Sequence, residues 1–178
     1  MASLLDSLRA RPPLAAFLLV LATLLATTDE RSFGVVPDGK EMLSAGAAVA
    51  FAGELGVSRD FANAVPRDGG DGFSRYGMGL SLAEVPFLQA ARLLHAVSPA
   101  LPSAPVLVLL PVLSLAAAAW GVAAAAGRLG ASASAQLLSG SARVLATPLW
   151  AYAGSDFSEP LQAALLGTGL AALAAHRA

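Results

Sequence analysis

The chain has 178 residues, 56% of them hydrophobic and only 13% charged, with a formal net charge of −1 and a mean hydropathy of +0.67. Soluble domains carry about 45–50% apolar and about 25% charged residues, so this balance excludes an ordinary soluble domain, and nothing in it would attract nucleic acid. The absence of cysteine excludes disulfide frameworks and cysteine-based zinc sites, while the excess of Ala and Leu over Ile favours helices over strands.

The N-terminal segment carries Arg9 and Arg11, followed by an apolar run that ends at Thr28. Counted from Pro12 it just reaches the lower limit for a spanning helix, about 17 residues. A signal peptide is the rival reading, with Ala26-Thr27-Thr28 as a weak cleavage site. An uncleaved first span over 12–28 fits better, because later segments are apolar enough to span and Thr is a poor cleavage residue.

Residues 29–98 hold most of the charges and read as a water-facing loop with its own structure. One helix is expected from Pro37 to about Leu55 and a second from Ser81 to about Val97. At 100° per residue, Glu84, His95 and Arg92 share roughly 80° of arc on the second, with Gln89 about 60° further on. Such a narrow polar stripe suits a helix lying at a membrane surface, and Ser81 with Glu84 forms a capping box.

Three further apolar stretches follow. The first, over 100–126, has no charge between Ser98 and Gly127 and is expected to kink at Pro111. The second, over 131–151, contains Arg143, which must snorkel or pair at depth, with Glu159 or Asp156 as the expected partner. The third covers 160–175 and stops at His176-Arg177. The expected fold is thus all-α: a polytopic helical membrane protein of about four transmembrane helices, plus an extracytoplasmic loop carrying two juxtamembrane amphipathic helices. Lys and Arg favour the cytoplasmic side. With Arg9, Arg11, Arg128 and Arg177 inside, the N-terminus is cytoplasmic and residues 29–98 are extracytoplasmic, on the plasma membrane.

Two acidic pairs, Asp38 with Glu41 and Asp156 with Glu159, then lie on one membrane face. Each can serve as helix capping, with Pro160 in the first turn of the last helix. Carboxylates beside a bilayer are costly and often functional, which is the second reading. Other chemistry is weaker. His95 and His176 lack ligand spacing, Gly69-Gly70-Asp71-Gly72 lacks the context of a phosphate cradle, and the small residues from Ser132 to Ser141 favour close helix packing.

The order PDGKEM (37–42), SRYGMGLSLAEVPF (74–87) and ATPLWAYAGSDFSEPL (146–161) resembles the start of polytopic GT-C glycosyltransferases, the group of protein mannosyltransferase-like and arabinosyltransferase-like membrane enzymes. The resemblance covers essentially residues 14–175 and implies sugar transfer from a polyprenyl-phosphate donor to an acceptor hydroxyl on the outer face. It implies Asp38 as general base with Glu41 beside it, and Glu159 as an acid that orients the acceptor or assists a divalent metal ion. Lys40 or Arg75 would hold donor phosphate, with Tyr76 and Asp156 also in the substrate region. Such enzymes have many more membrane helices than four, so this chain is expected to be the N-terminal part of a longer enzyme and inactive alone. The alternative is a non-catalytic integral membrane subunit or interaction protein, with transport a weaker third.

Overall fold

The computed structural model describes residues 10–29, 33, 37–57, 72, 74 and 78–176. Among them the regular structure is helical: α1 (Pro12–Thr27), α2 (Pro37–Ala52), α3 (Met78–Val97), α4 (Ala104–Arg128), α5 (Ala133–Leu145), a 3-10 helix (Pro148–Gly154) and α6 (Glu159–Ala175). The described residues hold no strand beyond an isolated antiparallel bridge between Val57 and Gly72. The fold class read from composition is therefore the observed one at the level of all-α.

Helix length discriminates among the apolar segments. At 1.5 Å per residue, the 25 residues of α4 reach about 37 Å, enough for a hydrocarbon core of about 30 Å. Among the described residues α4 is the one helix long and apolar enough to cross a membrane, and α1 is apolar but shorter. The 16 residues of α1 reach about 24 Å and the 17 of α6 about 26 Å. The segment expected as one span over 131–151 divides instead. Its α-helix stops after 13 residues, about 20 Å, and a 3-10 helix begins at Pro148, because proline disfavours the α conformation in the residue before it.

The chain forms two compact units. The first comprises α1, α4 from Pro111 onward, α5, most of the 3-10 helix and α6. Its contacts are made by small residues. A Cβ on Gly140 of α5 would press on Ala119, Ala123 and Ala16, and one on Gly121 of α4 would overlap the backbone of Gly167 and Thr168 in α6. Backbones approach this closely only where side chains are absent or minimal, the packing mode of membrane helices. Leu115, Ala116, Ala119 and Ala123 of α4 are fully buried there with Ala16, Val20 and Leu24 of α1. Arg128 at the end of α4 donates to the Ala171 carbonyl of α6. Arg143 is exposed near the end of α5, and among the described residues no ion pair joins it to either expected partner, Glu159 or Asp156.

The second unit contains residues 29–110 and 154–158, and its centre is the packing of α2 on α3. Helix α2 closes with Gly53 at φ 71°, where the Glu54 N–H bonds the Ala48 carbonyl and the Gly53 N–H bonds the Val49 carbonyl. This is a left-handed glycine stop, in which the last turn's carbonyls are satisfied from beyond the helix end. The buried face of α3 is Leu80, Ser81, Glu84, Leu88 and Ala91. This corrects two expectations. The helix begins at Met78, so Ser81 lies in the helix body and cannot cap it. Its hydroxyl instead donates to the Met42 carbonyl of α2 at 2.9 Å. Glu84 is buried with Leu88 and Ala91, whereas Gln89, Arg92 and His95 are exposed, so the polar stripe of α3 is split between interior and surface.

Candidate functional site

The second unit contains acidic side chains where water does not reach. Glu41 of α2, Glu84 of α3 and Asp156 of the 154–158 segment are 1%, 2% and 2% exposed. Helix α2 makes this possible through two glycines. At Gly39 an added Cβ would overlap the Asp156 carboxyl group, so that group lies directly against the α2 backbone. At Gly46 a Cβ would stand 2.9 Å from the Ser81 carbonyl oxygen and 3.0 Å from Glu84 Oε2. The Glu84 carboxyl is thus seated on bare α2 backbone one turn beyond the Ser81–Met42 hydrogen bond.

Neither Glu84 oxygen has a hydrogen-bond partner among the described residues. A buried carboxylate without partners is costly, so the group keeps its proton instead. Burial, reinforced by the negative charge of Asp156, raises its pKa from 4.5 to about 8. At neutral pH Glu84 is therefore a neutral acid beside Asp156.

The residues expected from sequence fall out as follows. Asp38 lies in the first turn of α2, inside the helix and half-buried, so it complements the positive end of the helix dipole and does not cap it. Lys40 is exposed. Glu41 is buried on the face of α2 that carries Gly39, Met42 and Ala45. Asp156 and the Asp38–Glu41 turn meet at Gly39, so two acidic segments remote in sequence do come together. Glu159 opens α6 in the other unit, half-buried and with Oε2 enclosed. Arg75 and Tyr76 lie outside the described residues. Among the described residues, no three His, Asp or Glu side chains stand as a metal-ligand set.

Sequence reasoning passed over Glu84 as a capping residue. The available signal was its phase: four residues after Leu80 and four before Leu88, it repeats with the apolar face of the helix. No protein-family model matches this chain, and no curated protein or solved structure is similar enough to it to register as a match.

Proposed function

We propose that the chain is the membrane-embedded opening module of an enzyme that transfers a sugar from a polyprenyl-phosphate donor to an acceptor hydroxyl, with Asp38 as general base. The reading places four spans in the plasma membrane, the N-terminus in the cytoplasm and residues 29–98 outside, consistent with the basic ends Arg9, Arg11, Arg128 and Arg177. The observation that carries it is the seating of the Asp156 carboxyl group against Gly39, next to Asp38 in the first turn of α2.

Reach assigns the roles. A general base must come within hydrogen-bond distance of the proton it takes. Glu41, Glu84 and Asp156 are enclosed by protein, whereas Asp38 is only half-buried. Asp38 takes the hydroxyl proton as the acceptor oxygen forms its bond to the anomeric carbon. The bond from that carbon to the donor phosphate breaks, and its electron pair leaves with the polyprenyl phosphate. Exposed Lys40, two residues on, offers a cation to that phosphate.

The test is Asp38→Asn in the complete enzyme, assayed in membrane vesicles with a polyprenyl-phosphate sugar. Loss of a general base lowers kcat by about 10²–10⁴-fold. Loss of one charge from the first helical turn lowers stability by only about 0.3–1 kcal/mol. Unchanged turnover would remove Asp38 from the chemistry. The second reading, a non-catalytic membrane subunit, is favoured by one observation: Glu41, Glu84 and Asp156 are enclosed by helix packing. On that reading Asp38→Asn changes neither partner binding nor stability appreciably.

A further inference from the structure

We propose that a cleft in the second unit, formed by α2, α3 and the start of α4, binds the headgroup of an anionic phospholipid. The cleft has a volume of about 570 Å³, within the range of small-molecule sites, about 300–1,000 Å³. Phe51, Leu88, Ala91 and Leu107 give it an apolar lining, and its polar groups are Arg92, His95 and Ser103. The Arg92 guanidinium stands over the Phe51 ring, 5.3 Å from its centroid, so the cation is positioned by a cation–π contact.

Charge and hydrophobicity together identify the occupant. Among the described residues no carboxylate lines the cleft. The acid on the same helix, Glu84, is turned into the interior, so the Arg92 charge is not neutralised from within the cleft. Arg92 and His95, three residues apart, are neighbours on the surface of α3. The cleft wall around these cations is itself apolar surface, with Phe51 46% exposed and Leu107 half-buried. A free phosphate would match the cation and leave this apolar surface wet. A neutral lipid would cover the surface and leave the cation unmatched. A lipid with a phosphate headgroup and no compensating cation satisfies both, and the same chain reads as a membrane protein from its composition. This site shares no residue with the acidic cluster and does not depend on sugar transfer.

The experiment uses the full chain purified in a neutral detergent. Bound adducts are counted by native mass spectrometry during titration with phosphatidylglycerol, with phosphatidylcholine of the same acyl chains, and with inorganic phosphate. Phosphatidylglycerol is expected to bind on the order of tenfold more tightly than phosphatidylcholine, the yield of one charge-assisted contact. Arg92→Gln should abolish that preference, and Arg143→Gln, an exposed arginine of the other unit, should retain it. Ser103→Glu, which adds a carboxylate at the cleft edge without touching Arg92, should abolish it too and serves if Arg92→Gln does not fold. Equal binding of the two lipids, or a preference that survives Arg92→Gln or Ser103→Glu, overturns the proposal. Inorganic phosphate binding as tightly as phosphatidylglycerol also overturns it, assigning the cleft to a free anion.

Discussion

Glu84 combines a carboxyl group, almost complete burial and no hydrogen bond from the described residues. Its pKa of about 8 in the fold, against 4.5 as the ordinary value, means that the folded state holds the proton more tightly than the unfolded chain. Stability from this group is fully present below pH 4.5 and falls as the pH rises, by about 1.4 kcal/mol per pH unit, until the pH passes about 8. Helix content followed by circular dichroism during thermal unfolding should give a lower Tm at pH 8 than at pH 5.5. Glu84→Gln, which cannot ionise, should flatten that dependence. A slope unchanged in Glu84→Gln would place the titration elsewhere. The sequence disclosed this residue only ambiguously. Ser81 and Glu84 have capping-box spacing, and the choice between cap and core depends on where the helix starts. Three residues of additional helix, from Met78 to Leu80, turn a capping pair into interior groups.

Between elements, glycine sets the distances. Within α6 two glycines differ sharply: a Cβ on Gly167 would stand 2.9 Å from the Ala118 carbonyl oxygen and 3.2 Å from its Cα, whereas one on Gly169 would meet nothing within 4 Å. Gly167→Ala should therefore destabilise by about 1–3 kcal/mol through overpacking. Gly169→Ala should be neutral or stabilising by up to about 1 kcal/mol, the helix-propensity gain. Equal Tm values for the two variants would show that α4 and α6 do not pack this closely. Helix positions were legible in the sequence because apolar periodicity and proline mark them: α2 begins at Pro37 and α3 ends at Val97, as expected. The division of 131–151 was less legible, because hydropathy averages over the break before Pro148 and does not register helix termination. The meeting of Gly39 with Asp156 is a tertiary contact without a local signal.

For the whole molecule, composition and α4 point the same way: a helical chain with at least one segment of membrane-spanning length and apolarity among the described residues. Segregation of acids also operates at this scale. The second unit encloses Glu41, Glu84 and Asp156, while the fully buried side chains of the first, such as Val20, Leu24 and Leu115, are apolar. The consequence of the proton held on Glu84 extends to heat. At pH 6.5, between its two pKa values, unfolding releases close to one proton to the buffer. The enthalpy recorded by calorimetry then contains the buffer's own heat of protonation. Unfolding should absorb less heat in a buffer that takes up protons exothermically, such as Tris, than in phosphate, where protonation is nearly athermal, and that difference should disappear in Glu84→Gln.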